Sequence, residues 1–437
     1  MKEAIHDMMN PLQLEVAETS LLDDKLDIRV THAPTACTVT LRAATTDEEG
    51  VVWRSYAVFR SDNSGIIDLG RQAPLEGTYQ TPDAMGLFWS MKPSASDPEI
   101  FQKAGSDPLQ VTLTAEVEGM IVAERQIVRQ VIADEVERIP LDTDELGIAG
   151  TFFRPRTAER PPAVLVLAGS GGGVNELMAG LLASRGYAAL ALAYFGVGPL
   201  PSQLREIPLE YFEKAVSWLK SQPGICHESI AVVGRSKGGE LALLLGATYP
   251  ELHPVVSYVP SPYLFSSFVG GTPASSWTHK GEPLPFVPLR MNLALLFRIL
   301  SRRFTKQPLS FASLYEKSVK LKPDWGGAMI PLEQIQGPVL LISGGDDKTW
   351  PSTYFSEVAA ARLIEKEFPY PVRHLSYLDA GHMIQVPYLP STVHRSGTLL
   401  LGGSDDKDAE ACAESWAEML NFLDNHCTRT EDQEESQ

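Results

Sequence analysis

The sequence is poor in cysteine and has no long apolar run. Its four cysteines, Cys37, Cys226, Cys412 and Cys427, lie far apart in 437 residues, and no two form a Cys-x-x-Cys pair. This excludes a disulfide scaffold and the common zinc and thiol-redox motifs, and favours reduced thiols in an intracellular protein. No apolar run reaches the roughly 18 residues that a membrane helix needs, so we expect no integral membrane segment.

Positive charge is also scarce. Lysine and arginine number 37 against 55 aspartates and glutamates, which gives a net charge of −18. Because contacts with phosphates need a positive field, we expect no nucleic-acid partner. The first residues show no basic region followed by an apolar run, and the last three are Glu-Ser-Gln rather than the peroxisomal Ser-Lys-Leu. From these features we expect a cytoplasmic protein.

The residues that are present follow two patterns, and the first covers residues 1–140. The overall composition is globular, with 44% hydrophobic and 21% charged residues. Short segments of alternating apolar and polar residues predict strands, and the last two of these segments predict a hairpin. Closely spaced strands with few helical patterns between them predict an antiparallel, immunoglobulin-like β-sandwich. The predicted strands include 25–30, 37–42, 51–59, 109–117 and 121–128.

The second pattern covers residues 141–427, where apolar strands alternate with helices. Such alternation predicts a mostly parallel sheet covered by helices on both faces, as in an α/β-hydrolase domain. Residues 258–330 are rich in Pro, Ser, Gly and aromatics and predict a cap inserted over the sheet, and 428–437 form an acidic tail. The predicted strands are 161–168, 187–193, 229–233, 338–343 and 374–377, and the predicted helices are 175–185, 209–220, 239–247, 353–366 and 414–425.

The strongest chemical signal is the segment Gly234-Arg-Ser-Lys-Gly238, which lies between a predicted strand and a predicted helix. It matches G-x-S-x-G, the sharp turn that exposes a serine nucleophile above a sheet. We therefore predict that Ser236 is a nucleophile. The oxyanion formed by its attack needs two backbone donors. We expect them from Lys237 and from the glycine-rich loop at Ser170 and Gly171.

The same glycine-rich loop has an alternative interpretation as a phosphate cradle. It has no following Lys-Ser/Thr and no G-x-G-x-x-G spacing, so it matches neither common phosphate-binding motif. Because it opens a predicted helix, some affinity for an anion stays open.

A serine nucleophile needs a base, and in this fold the acid and then the histidine follow it along the chain. His382 is the predicted base, because a glycine before it lets its loop fold back over the serine. His394 is an alternative in a less suitable loop. His374 lies inside a predicted strand, so we expect a structural role for it.

The acid should follow a late strand, and two neighbouring aspartates do so. We predict that Asp347 orients the imidazole of His382 and stabilises its cation, with Asp346 as the rival. Asp379, three residues before the histidine, is expected to be a turn residue.

One basic cluster stands out in the predicted cap. It overlaps the apolar stretch 292–297, so an amphipathic helix with a solvated face explains it. A sharper hypothesis is that Arg298, Arg302 and Arg303 bind a phosphorylated substrate. The cluster is Arg290, Arg298, Arg302, Arg303 and Lys306.

These motifs resemble the acyl-CoA thioesterase and bile acid-CoA:amino acid N-acyltransferase family, over nearly the whole chain. The resemblance implies a β-sandwich followed by an α/β-hydrolase domain, with a triad of Ser236, Asp347 and His382. It implies an acyl-CoA substrate, with no metal and no cofactor beyond the CoA of substrate and product. The strings that carry it include Met85-Gly-Leu-Phe-Trp-Ser-Met91, Leu209-Glu-Tyr-Phe-Glu213, Gly234-Arg-Ser-Lys-Gly-Gly-Glu-Leu241 and Gly345-Asp-Asp-Lys-Thr-Trp350.

The nucleophile divides this family, because its conjugating members typically carry a cysteine there. A thioester intermediate is readily attacked by an amine, whereas the oxygen ester on Ser236 suits hydrolysis by an activated water. We therefore expect hydrolysis of acyl-CoA. Acyl transfer to glycine or taurine, a carboxylesterase or dienelactone-type hydrolase, and an inactive binding protein are the alternatives.

Overall fold

The computed structural model describes residues 11–95, 99–267, 273–289, 307–321, 325 and 327–427. These residues form two compact units. The first unit ends at Val131 and also includes Val386–Val393 and Ser404–Glu410, whereas the second begins at Ile132 and includes the remaining residues.

The first unit contains β-strands and one-turn helix α1 (Gly86–Trp89). Its strands are β1 (Gln13–Glu15), β2 (Thr19–Leu21), β3 (Arg29–Thr31), β4 (Thr38–Thr46), β5 (Val52–Arg60), β6 (Ile67–Asp68), β7 (Glu76–Gly77), β8 (Lys92–Pro93), β9 (Leu109–Val117) and β10 (Met120–Gln130). Seven strands form one sheet in the order β2-β10-β9-β4-β5-β7, with β8 also paired to β5. The order β1-β3-β6 forms a second sheet.

Strand β4 of this unit buries one face. In β4, Val39, Leu41 and Ala43 are buried. The residues on either side of Val39 and Leu41 are half-buried or exposed, as expected when successive side chains point to opposite faces of a sheet. The predicted hairpin of β9 and β10 is confirmed, and Glu118 and Gly119 at its turn both have positive φ, as a tight two-residue hairpin turn requires. The sheet departs from the antiparallel prediction at β2, which runs parallel to β10. The immunoglobulin-like arrangement stays a prediction.

A buried guanidinium holds the start of this unit in place. Arg129 of β10 is 1% exposed and donates from Nη2 to the carbonyl oxygens of Leu22 and Asp24, both at 2.7 Å. Its Nη1 donates to Ser20 Oγ at 3.0 Å, and its guanidinium carbon lies 5.4 Å from the Phe88 ring centroid. Burial lowers the pKa of Arg129 to about 10. One side chain thus donates to three oxygens at once.

The second unit is built on an eight-stranded sheet. Its strands are β11 (Val136–Pro140), β12 (Ala149–Pro155), β13 (Pro162–Leu167), β14 (Ala188–Ala193), β16 (Cys226–Arg235), β17 (Leu252–Tyr258), β20 (Val339–Gly344) and β21 (Val372–Tyr377). Their order is β11-β12-β14-β13-β16-β17-β20-β21. From β14 to β21 neighbouring strands are parallel, and β11 and β12 pair antiparallel at one edge. All residues of β13, β14 and β20 are buried, as expected for strands covered on both faces.

Smaller elements and helices complete the second unit, to which the last helix of the chain belongs from Ala411 onward. The short strands are β15 (Ile207–Pro208), β18 (Trp277–His279), β19 (Glu282–Pro283), β22 (Arg395–Ser396) and β23 (Leu399–Leu400). The helices are α2 (Thr143–Leu146), α3 (Glu176–Ser184), α4 (Leu209–Lys220), α5 (Lys237–Thr248), α6 (Ala312–Lys320), α7 (Ser352–Glu365) and α8 (Asp405–His426), with a 3₁₀ turn at Leu332–Gln334.

The helices form where apolar residues recur with helical spacing. In α4 the buried residues are Leu209, Phe212, Ala215, Val216 and Leu219, which share one face of the helix. They join the core cluster that contains the strands β13 and β14. Burying each large apolar side chain in such a core contributes roughly 1.5–3 kcal/mol.

The structure differs from the sequence prediction in several elements of the second unit as well. Strands β11, β12 and β17 were not predicted, and α8 begins at Asp405 rather than at Glu414. Because β11 pairs with β12, Val136–Pro140 belongs to the sheet of the second compact unit, which begins at Ile132. The predicted domain boundary after residue 140 stays a prediction. The predicted cap 258–330 lies partly outside the described residues, and the predicted tail 428–437 lies wholly outside them.

In the part of the chain that the structure describes, no helix has both the length and the apolar character needed to cross a membrane. The longest helix, α8, carries acidic side chains in its first turn.

Replacement of the buried guanidinium tests its role. We expect Arg129→Met to lower the free energy of unfolding by about 2–4 kcal/mol, because buried carbonyl oxygens lose a charged donor. Urea denaturation followed by circular dichroism measures the change. Arg125→Met, at an exposed position of the same strand, is the control, and equal effects of the two substitutions would contradict this account.

Candidate active site

Ser236 occupies the sharp turn between β16 and α5. Its backbone has φ 59° and ψ −121°, a region that residues with a side chain rarely adopt. Its N–H donates to the Tyr258 carbonyl oxygen at 2.9 Å. The turn therefore presents the hydroxyl beyond the carboxyl end of a central strand, as the G-x-S-x-G motif predicts.

The two glycines of the motif make this turn possible because the backbone passes very close to itself. A Cβ atom at Gly234 would lie 2.1 Å from the Gly238 carbonyl oxygen. A Cβ atom at Gly238 would lie 2.3 Å from the Ala168 carbonyl oxygen. Since real Cβ contacts are never so short, both positions require glycine.

A histidine connects the serine to a buried carboxylate. His382 Nε2 lies 2.8 Å from Ser236 Oγ, and His382 Nδ1 lies 2.8 Å from Asp347 Oδ2. A carboxylate accepts a hydrogen bond from Nδ1–H, which leaves Nε2 as the acceptor for the serine hydroxyl. The side chains of His382 and Asp347 are 6% and 0% exposed. The structure thus brings the three predicted residues into one hydrogen-bonded chain.

The second oxygen of Asp347 is held by backbone donors. Its Oδ1 accepts from the N–H groups of Thr349 at 2.9 Å and Trp350 at 3.2 Å. The Trp350 ring lies edge-on to the imidazole at 6.0 Å, and its Nε1 donates to the Val259 carbonyl oxygen at 2.9 Å. These contacts fix both the carboxylate and the imidazole. Sequence reasoning missed this role of Thr349 and Trp350, although both lie in the quoted string that ends at Trp350.

The rival aspartate faces other partners. Asp346 accepts from Lys348 Nζ through one oxygen and from the Gly403 N–H at 3.0 Å through the other. Burial acts to raise the pKa of Asp346, but these hydrogen bonds lower it overall. Asp379 is exposed in a turn, as predicted.

The alternative histidines also have other positions. His374 lies in β21, with Nε2 at 2.7 Å from Ser343 Oγ. His394 lies just before β22, and its carbonyl oxygen accepts from the Leu401 N–H. The histidine that reaches Ser236 Oγ in the described structure is His382.

A cavity of about 320 Å³ opens at the serine. The predicted oxyanion donors Ser170 and Lys237 line it, whereas Gly171 is not among its described lining residues. A Cβ atom at Gly169 would lie 3.5 Å from Ser236 Cβ, so the glycine-rich loop passes beside Ser236. The apolar side chains in the lining come from Leu204, Phe265, Phe311, Tyr315, Trp350 and Leu399.

The predicted basic cluster cannot be placed relative to this cavity. Arg298, Arg302 and Arg303, with Arg290 and Lys306, lie outside the described residues. Their role as phosphate ligands stays a prediction.

Two family models match the chain. Residues 23–143 match the acyl-CoA thioester hydrolase/BAAT N-terminal region, and residues 207–429 match the BAAT/acyl-CoA thioester hydrolase C-terminal region. The chain belongs to the acyl-CoA thioester hydrolase/BAAT family. This family is the one that the sequence motifs resemble.

Relatives of this acyl-CoA thioester hydrolase/BAAT family member align over nearly its full length. Human acyl-coenzyme A thioesterase 1 is 30% identical over 431 residues, covering 96% of this chain and 97% of that protein. The peroxisomal succinyl-coenzyme A thioesterase of Mus musculus is 28% identical over 440 residues, covering 97% and 98%. Among solved structures, a dienelactone hydrolase-like promiscuous phosphotriesterase from metagenomic libraries is 18% identical, with a TM-score of 0.39, covering 66% of this chain and 97% of its own.

The two neighbouring aspartates can be distinguished by reactivity. We expect Asp347→Asn to slow the labelling of Ser236 by a fluorophosphonate about 10³-fold or more, because the amide no longer stabilises the imidazolium or selects its tautomer. Asp346→Asn is the matched control and should react close to the wild-type rate, because Asp346 faces Lys348 and Gly403. The reverse order of the two rates would assign the acid to Asp346.

Proposed function

We propose that this chain hydrolyses acyl-CoA thioesters through a covalent acyl-enzyme on Ser236. The observation that carries the proposal is the hydrogen-bonded chain from Ser236 through His382 to Asp347. At its Ser236 end this chain faces a cavity with apolar walls. Family membership supplies the substrate class, because relatives are named as acyl-CoA thioesterases.

In the first half of the reaction, Ser236 Oγ attacks the carbonyl carbon of the thioester. His382 Nε2 takes up the hydroxyl proton, and Asp347 stabilises the imidazolium that forms. The carbonyl oxygen becomes an oxyanion, which the N–H of Lys237 and the loop at Ser170 stabilise. The carbon–sulfur bond then breaks, and His382 returns the proton to the sulfur of CoA. A thiol of pKa about 8.5, by analogy with cysteine, leaves easily.

In the second half, water replaces the CoA thiol. His382 takes a proton from the water as the water oxygen attacks the ester carbonyl carbon on Ser236. The ester bond then breaks, His382 returns the proton to Ser236 Oγ, and the free acid leaves. The reaction as proposed uses CoA only as a part of the substrate and as a product.

The cavity lining supports an acyl chain as the group bound beside the serine. The surface of the cavity is mostly apolar, and leucine, phenylalanine, tyrosine and tryptophan side chains are part of its lining. Removing a hydrocarbon chain from water against such side chains is favourable by about 0.8 kcal/mol per CH₂ group. The binding free energy of the substrate therefore depends on the length of its acyl chain.

Water is the proposed acceptor because the nucleophile is serine rather than cysteine.

Cytoplasmic action also stays a proposal. The relatives include a protein named as peroxisomal and one named as mitochondrial.

Steady-state release of free CoA from acyl-CoAs of graded chain length tests the proposal. We expect saturable release by the wild type and a loss of at least about 10³-fold in kcat for Ser236→Ala, because the nucleophile is gone. Ser221→Ala, at the exposed end of α4, is the control and should retain activity. Undiminished release by Ser236→Ala would contradict the acyl-enzyme.

The same assay with glycine or taurine present separates hydrolysis from transfer. Free acid as the product supports hydrolysis. Formation of the amide conjugate at the expense of free acid would make this chain an acyltransferase.

A further inference from the structure

A buried ion pair lies in the first turn of α5, directly after the nucleophile. Lys237 Nζ lies 2.6 Å from Glu240 Oε1 and 2.8 Å from Glu240 Oε2. The two side chains are 8% and 0% exposed. Neither side chain takes part in the reaction steps proposed above, although the backbone N–H of Lys237 is a proposed oxyanion donor.

The ion pair also bonds to a second part of the chain. Lys237 Nζ donates to the Phe265 carbonyl oxygen at 3.0 Å, so all three of its protons have acceptors. Glu240 Oε1 accepts from Trp277 Nε1 at 2.9 Å, and Glu240 Oε2 accepts from the Phe265 N–H at 3.4 Å. The Phe265 carbonyl oxygen further accepts from Ser276 Oγ at 3.2 Å.

The bonded partners belong to the wall of the catalytic cavity. Phe265, Ser266, Ser267 and Ser276 line the same cavity as Ser236, and we call these four residues the serine-rich wall. The ion pair therefore connects two surfaces that must keep their relative positions during catalysis. One is the turn that carries the nucleophile, and the other is the wall beside it.

Stability alone does not explain charges at this place. Desolvation of two buried ions costs several kcal/mol each, and well-packed apolar side chains of similar volume are often as stable. Burial lowers the pKa of Lys237 and raises the pKa of Glu240, and each partner opposes the shift of the other. Compared with an apolar contact, the charged pair constrains the orientation of its groups, because each hydrogen bond restricts an angle as well as a distance.

We propose that Lys237 and Glu240 are positioning residues, whose buried ion pair fixes the first turn of α5 against the serine-rich wall and keeps the Lys237 N–H directed at the oxyanion. This inference rests on the acyl-enzyme reaction proposed above. The oxyanion exists only in and near the transition states. A loosened donor therefore lowers kcat and leaves KM almost unchanged.

The experiment compares Glu240→Gln and Lys237→Met with the wild type. Prolonged fluorophosphonate labelling first counts the competent serines in each preparation, and kcat is then expressed per labelled site. We expect kcat per site to fall about 10-fold or more, a smaller loss than removal of a whole oxyanion donor. The KM for acyl-CoA should stay near the wild-type value.

A second ion pair of the same unit serves as the control. Arg362 and Glu333 form a bidentate pair, with Nε to Oε2 at 2.7 Å and Nη2 to Oε1 at 2.8 Å, and neither residue lines the described cavity. Glu333→Gln also removes one charge from a pair, and it should leave kcat per site unchanged.

A double substitution keeps the inference testable if a single unpaired charge prevents folding. Lys237→Met together with Glu240→Leu removes both charges and keeps most of the volume. A folded double variant with reduced kcat per site supports positioning. A folded single or double variant with wild-type kcat per site, whatever its unfolding temperature, overturns it.

The outcome for the wild type separates this inference from the proposed function. If the wild type neither labels at Ser236 nor releases CoA, the acyl-enzyme proposal fails. If the wild type is active and the variants keep its kcat per site, only the positioning inference fails.

Discussion

The close approach of three backbone segments around Ser236 is the constraint on which the rest of the site depends. The end of β16, the start of α5 and the end of β13 meet at distances that leave no room for a Cβ atom at Gly234 or Gly238. This contact forces positive φ on Ser236 itself. The position of Ser236 is therefore set by backbone packing at the centre of the sheet, and it does not depend on the conformation of flexible side chains.

Parallel neighbours in the sheet supply the other groups. Strands β16, β17 and β20 are adjacent and parallel, so the segments that follow them emerge at one edge. Those segments carry Ser236, Val259 and Asp347, and the Trp350 indole links the second to the third. The loop after β21 adds His382, which lies 146 residues from the serine along the chain and 2.8 Å from it in space. Sheet order thus converts distant sequence positions into a hydrogen-bonded chain.

The sequence predicted what depends on local pattern and missed what depends on tertiary contacts. The sharp turn at Ser236 was predictable because its strand and its helix adjoin each other in the sequence. Asp347 and Asp346 follow the same strand, so local pattern could rank them but could not show the N–H groups that hold each one. The spacing of Lys237 and Glu240 is visible in the sequence, but Trp277 is 37 residues from the glutamate, and only folding brings its indole to it. Strand β17 was missed because a proline interrupts its short apolar run.

The distribution of buried charge around the serine restricts which group can move protons there. Every Nζ proton of Lys237 is donated to Glu240 or to the Phe265 carbonyl oxygen, so the ammonium is not oriented toward the oxyanion or the leaving thiolate. Asp347 is enclosed by backbone donors and the imidazole, so its carboxylate is held against His382 Nδ1. Among the described residues this leaves His382 as the titratable group in hydrogen-bond contact with Ser236 Oγ. In the proposed reaction, stabilisation of the oxyanion then falls to backbone dipoles, which need no rearrangement as charge develops and which function only as well as their direction is maintained.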